Sequence, residues 1–443
     1  MGGCANDFNI DVLEGRFMSN AIRGDCRPIV VVGAGVAGIM TAYALARRGK
    51  NVAVIDALSG SAEMCSRANA GIIAVGHAKA WAGPEAIGSI LRAIIGRDSA
   101  VQVTCLMDPA LWRWGVEFLL NCLPSAHHRN TDKLQRLSRF SRNLVAAAEA
   151  EMGLPKETRH QGGLYLFQDK SQFEAYVASI GQSAGGSAEV LDRHTLISRE
   201  PGLSGMSDRL VGGLFSAMDS VGDCQLFTQR TAAYLSQAHK VSFCFNTRVT
   251  GFRCTKGTVE ALITNNGEIP CAAVVLATGV ETPDITRPLG FRPNIYPVKG
   301  YSGTWRITDA TGVPTLPFVD ETELLAVAAY GGKLRVTAIA EFAAHDRSIP
   351  KARSSRLADY VRRFFGNAVD LETPEFWAGL RPTTAAGPPY LGRVRRFDNL
   401  CVNAGHGQLG WTMSIGCGEL LAQMITGERP SLEDVSSSAP WLM

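Results

Sequence analysis

The chain has 443 residues, a net charge of +3, 46% hydrophobic residues and 19% charged ones. That length supports two domains with sizeable cores. The small charge, with no basic stripe interleaved with aromatics, excludes a nucleic-acid partner. No apolar run reaches about 18 residues, so no transmembrane helix is expected.

Residues 1–27 carry acids and lack a continuous apolar core, so they read as a disordered leader and not a signal peptide. Ile29 to Val32 is short, apolar and β-branched, the pattern of a strand buried on both faces of a parallel sheet. Gly33-Ala34-Gly35-Val36-Ala37-Gly38 follows at once. Gly33 permits a tight turn, Gly35 lets the backbone approach a pyrophosphate, and Gly38 lets a helix pack closely on the strand. Ile39 to Arg48 is predicted as that helix, with Gly49 as its stop. Its N-terminus presents free N–H groups and a positive dipole end to a diphosphate. Asn51 to Ile55 is the second strand, and Asp56 at its end is placed to accept ribose hydroxyls. Strand, turn, helix, strand and acid together predict a dinucleotide site, without separating FAD from NAD.

Glu63 to Gly83, rich in Ala, Gly and Ser, reads as a loop over that site. Leu111, Trp114 and Phe118 share one helical face, which Trp112 and Leu119 widen. The expectation is a core helix, with contact to a membrane surface as the alternative. Lys133 to Met152 is a further predicted helix. Strands are predicted at Gly162–Phe167, Val211–Ala217, Val241–Phe245 and Val259–Thr264, and Asn265-Asn266-Gly267 is a hairpin signal. Ala273 to Ala277 is a buried strand ending at Thr278-Gly279, a second glycine turn where doubly wound folds place ligands. Leu325–Ala329 and Lys333–Ala340 flank Tyr330-Gly331-Gly332 as two more strands. The fold class is therefore α/β: a Rossmann-like nucleotide domain, discontinuous in sequence, with an inserted α+β domain built on a mostly antiparallel sheet. Eleven cysteines without a C-x-x-C pair point to reduced thiols in a cytoplasmic protein, and metal-ligand spacing is absent.

Six ordered blocks carry a resemblance. They are the glycine motif with Asp56, "SRANAG" (Ser66 to Gly71), "GDCQLFTQ" (Gly222 to Gln229), "YPVKGYS" (Tyr296 to Ser302), "FWAGLRPTT" (Phe376 to Thr384) and "NAGHGQLGWTMSIGCGELLA" (Asn403 to Ala422). Together they resemble the FAD-dependent amino-acid oxidoreductases of the D-amino-acid oxidase and glycine oxidase superfamily, and within it the bacterial D-amino-acid dehydrogenase small subunits. The resemblance covers roughly Ile29 to Glu428. It implies non-covalent FAD rather than NAD alone. It assigns residues 28–85, 219–285 and 380–432 to the FAD domain and 86–218 and 286–379 to the substrate domain. It places FAD on Gly33, Gly35, Val36, Ala37, Gly38 and Asp56, on Ser66, Asn69, Ala70 and Gly71, and on Val249, Thr278 and Gly279. The last block adds Gly405, His406, Gly407, Leu409, Gly410, Trp411 and Thr412, whose backbone N–H groups would face the flavin edge. Arg381 in "GLRP" would form a bidentate pair with a substrate carboxylate, since a planar fork matches that anion at any working pH. Tyr301 is a candidate for the same carboxylate or for the pocket wall, and His77 is a candidate pocket residue.

The reaction so implied is hydride transfer from the Cα of a D-amino acid, with the imino acid then hydrolysing to an oxo acid and ammonia. Electrons would pass to a quinone or another acceptor, with peripheral contact on the inner face of a membrane. The pocket departs from the family pattern. An acid is lost at Thr384-Ala385-Ala386-Gly387, a Thr-Arg pair is replaced by Ala328-Ala329, and His77 stands where tyrosine is usual. Those departures keep two alternatives open: oxidation of a secondary or modified amino acid, and a non-catalytic electron-transfer flavoprotein.

Overall fold

The computed structural model describes residues 27–94, 101–154, 158–181 and 188–442. The expectation for the leader, apart from Arg27, lies outside these residues.

Ile29–Val32 and Val52–Ile55 pair in parallel as expected, with every residue buried. The helix between them runs Val36–Arg47 and so begins three residues before the predicted Ile39. Gly38 sits inside its first turn because any Cβ there would collide with the Gly33 carbonyl. The contact that demands the glycine also holds it in the helix. Gly33 itself has φ +107°, and a Cβ would lie 2.5 Å from the Ala277 carbonyl oxygen.

The nucleotide-type sheet has six strands, in the order Tyr390–Arg393, Leu400–Ala404, Ala273–Leu276, Ile29–Val32, Val52–Ile55 and Ser242–Cys244. All neighbours are parallel except the first pair. Chain order runs out from Ile29–Val32 first to one side and then to the other, which creates a crevice at the carboxyl ends of the central strands. Helix Gly410–Thr426 packs against helix Val36–Arg47, and Gly418 lets their backbones meet at Met40 and Thr41. The Asn265-Asn266 turn joins Thr258–Thr264 to Gly267–Pro270, as the hairpin signal predicts. Their other neighbour, Val249–Thr255, was not predicted as a strand; its Thr, Arg and Cys leave no clean alternation.

The second sheet has nine strands and is mostly antiparallel. Ile295–Arg306, second from one edge, is flanked by the edge strand Glu375–Thr384 and by Lys333–Phe342, with Leu325–Tyr330 beyond the latter. Two segments sit otherwise than the domain division expects. Strand Glu375–Thr384 crosses position 380 and carries Arg381 into the large sheet. Helix Pro124–Glu151, placed by sequence in the substrate unit, buries Leu134, Leu137, Val145 and Ala148 in the nucleotide core. That helix begins at Pro124, a favourable first-turn residue, and not at Lys133. Among the described residues no helix is long and apolar enough to cross a membrane.

Candidate active site and cofactor cleft

A cleft of about 520 Å³ lies between the two sheets. Its floor is the carboxyl ends of four strands: Val32-Gly33, Ile55-Asp56, Ala277-Thr278 and Asn403-Ala404. The glycine turn is braced on both sides. Asp56 Oδ2 accepts from the Ala34 N–H at 2.6 Å, and Ser66 Oγ accepts from the Val36 N–H at 3.1 Å. A Cβ on Gly35 would meet nothing closer than Ser66 Oγ at 3.6 Å, so its missing side chain leaves open room in the cleft. An anion at this point meets the positive end of helix Val36–Arg47.

Of the residues expected to hold the cofactor, Gly33, Gly35, Val36, Ala37 and Asp56 line this cleft, as do Ser66, Asn69 and Ala70. So do Val249, Thr278, Gly279, His406, Gly407, Gly410 and Trp411. Gly38, Gly71, Gly405, Leu409 and Thr412 stand behind the lining and shape it. Gly71, at φ +72°, seats the Tyr330 ring. Gly405, at φ +92°, clears the Thr384 methyl. Thr412 Oγ1 accepts from the Ala74 N–H at 3.1 Å, tying helix Gly410–Thr426 to the loop after "SRANAG". Leu409 is buried in the nucleotide core.

Two buried polar atoms of residues in the cleft wall, Asn403 Oδ1 and His406 Nε2, have no protein partner. Buried polar atoms require one, and the polar edge of a bound cofactor would supply it. Burial pushes the His406 pKa down to about 4, so the ring is neutral at neutral pH. With the braced glycine turn, these orphaned atoms make the cleft fit a dinucleotide cofactor.

Arg381 lines the same cleft from the large sheet. Its side chain lies across Gly300, where any Cβ would strike the guanidinium, and Nη1 donates to the Ile339 carbonyl at 3.0 Å. Among the described residues it has no carboxylate partner. Burial lowers its pKa, but guanidinium stays protonated under all ordinary conditions. Tyr301 also lines the cleft, yet its hydroxyl donates to Glu341 Oε2 at 2.7 Å and is thereby committed. His77 is not among the lining residues. It stacks on Tyr165 with ring centroids 4.9 Å apart and meets Tyr176 OH at 3.2 Å and Glu321 at 3.5 Å.

Several lining residues escaped the sequence reading. Trp377, Gly379 and Asn403 fall inside blocks already singled out, so a signal existed. Ala326 and Thr337 lie on strands whose departures from the family pattern already marked them as near the pocket; Arg347 gave no signal, because only a loop path brings it to the cleft.

The family described as FAD dependent oxidoreductase matches residues 28–424. The chain belongs to that family. It is therefore an FAD-dependent oxidoreductase. It is 38% identical over 407 residues to the D-amino acid dehydrogenase of Granulibacter bethesdensis, covering 91% of this chain and 97% of that one. It is 39% identical over 407 residues to the D-amino acid dehydrogenase of Cereibacter sphaeroides, covering 91% and 93%. Glycine oxidase from Bacillus cereus shares its fold, with a TM-score of 0.70 at 20% identity over 92% of this chain and 99% of that one.

Proposed function

We propose that this enzyme oxidatively deaminates a D-amino acid to an oxo acid and ammonia. The observation that carries the reading is Arg381: a half-buried guanidinium with no carboxylate partner among the described residues, in the same cleft as the glycine turn. Desolvating a charge without a counter-charge costs several kcal/mol. A substrate carboxylate in a bidentate pair relieves that cost and fixes the substrate's orientation. Ala326, Ala378 and Trp377 line the same cleft and add carbon to its wall. FAD, when bound, accepts the hydride leaving the substrate Cα–H bond. The resulting imine takes up water and releases ammonia, which needs no nucleophile from the protein. The names of the two relatives favour the D series over the L series.

The departures at Ala328-Ala329 and Ala385-Ala386, expected in the pocket, are not among the residues that line the cleft: Ala328 packs with Val221 and Tyr330, and Ala385 with Trp114 and Tyr296. They do not touch Arg381. A non-catalytic role leaves the half-buried guanidinium without a counter-charge.

We propose further that the electrons leave to a membrane quinone. Trp112, Val116, Leu119, Leu120 and Leu123 follow one stripe along and just past helix Pro109–Asn121, and they are 49–62% exposed. Met107 beside them is 92% exposed, and Arg129 on the next helix is exposed too. A contiguous apolar stripe beside a basic group suits the surface of an anionic bilayer.

The test of the catalytic reading is Arg381→Ala. KM should rise by about two orders of magnitude, the scale of a lost buried charge pair, while bound flavin stays at full content. An unchanged KM would remove the carboxylate role.

A further inference from the structure

We propose that Arg347 is a second carboxylate-recognising group of the cleft, so that the preferred substrates are amino acids with an acidic side chain. The proposal rests on the reading of Arg381 as the clamp for the α-carboxylate.

Arg347 and Arg381 both line the cleft, and adjacent residues of one loop touch both: Met64 meets Arg347, and the Cys65 thiol donates to the carbonyl of Leu380, the residue before Arg381. Neither has a carboxylate partner among the described residues. The contact of the Arg347 side chain is Nη1 to the Met64 sulfur at 3.3 Å, and a thioether is a weak acceptor. The acids that line the cleft are occupied. Asp56 holds the Ala34 and Leu58 N–H groups, Glu63 accepts from Ser59, and Glu281 meets Arg248 at 3.4 Å. Arg347 is exposed and Arg381 half-buried, and a single carboxylate answers only one of the two guanidiniums. A dicarboxylate answers both.

The Arg347 position is built into the fold. Asp346, its neighbour, accepts from Lys299 Nζ at 2.7 Å and from the Ser348 N–H and hydroxyl at 3.0 and 2.7 Å. The Lys299 side chain is 0% exposed and that of Asp346 is 48% exposed, so the ion pair ties an exposed loop to the large sheet. The next residue on that strand is Gly300, the seat of the Arg381 guanidinium. Adjacent residues of one strand therefore fix both arginines. The walls near them, Ala326 and Ala378, are small and leave the space to the substrate.

The experiment compares the intact, flavin-loaded enzyme with Arg347→Gln and Arg347→Lys on D-glutamate and D-alanine. The unsubstituted enzyme should have the higher kcat/KM on D-glutamate. The glutamate-to-alanine ratio should fall at least about tenfold in Arg347→Gln, the worth of one charge-assisted hydrogen bond, and recover partly in Arg347→Lys. Binding without turnover gives a second readout: glutarate should raise Tm more than butyrate does, and Arg347→Gln should abolish the difference. A ratio that stays within about twofold, or a preference for D-alanine in the unsubstituted enzyme, overturns the proposal while leaving the deaminase reading in place. Flavin that no D-amino acid reduces overturns both.

Discussion

His406 shows how a single buried residue couples the cleft to pH. Its ring is 5% exposed, and its Nε2 has no protein partner. Burial holds the folded-state pKa near 4, against 6.5 for the unfolded chain. Between those values the unfolded chain binds a proton that the folded chain does not, so stability rises with pH through the window and is complete above it. Tm of the flavin-loaded protein should therefore climb from about pH 4 to about pH 6.5, and His406→Gln should flatten that climb. Parallel Tm curves for the two proteins would show that His406 is not the titrating group. The sequence indicated that His406 touches the cleft, because it stands between glycines in a block with a recognisable pattern. It could not indicate Arg347, whose place depends on an ion pair between Lys299 and Asp346, 47 residues apart.

At the level of elements, helix Pro109–Asn121 has two apolar faces. Trp114 and Phe118 are buried, and Trp114 Nε1 donates to the carbonyl of Thr383, on the same strand as Arg381, at 2.9 Å. The sequence reading of a core face was sound for these two. The Trp112–Leu119 side is the exposed stripe, and periodicity alone could not rank the faces because both are apolar. Membrane docking through it predicts that the protein co-sediments with phosphatidylglycerol–phosphatidylethanolamine vesicles. The double variant Leu119→Asp, Leu120→Asp should lose that association with little change in Tm, since both side chains are exposed. Equal sedimentation of the two proteins would exclude this face. Elsewhere, element boundaries slipped where packing overrides local preference. Gly38 lies within a helix because the helix needs it there. Ile295–Arg306, interrupted by Pro297 and Gly300, is a continuous twelve-residue strand because both its neighbours pair with it.

In the whole molecule, two sheets of different character face each other across one cleft. The parallel sheet supplies backbone turns and a helix dipole, which suit a diphosphate. The antiparallel sheet supplies Arg381 and small residues, which suit a carboxylate and a side chain. The parallel half was legible in the sequence because its glycines and Asp56 are forced by close backbone approach. The antiparallel half was legible as motif blocks but not as geometry, because its residues reach the cleft through register between strands far apart in the chain. The central claim is that the clamp in one sheet presents Cα of a D-amino acid to the flavin in the other. The measurement that tests it most directly is the anaerobic visible spectrum of the purified protein, titrated in parallel with D- and L-amino acids and N-alkyl glycines. The account predicts a flavin spectrum bleached by D-amino acids at low concentration. Bleaching by L-amino acids or N-alkyl glycines alone, or no bleaching by any of them, would contradict it.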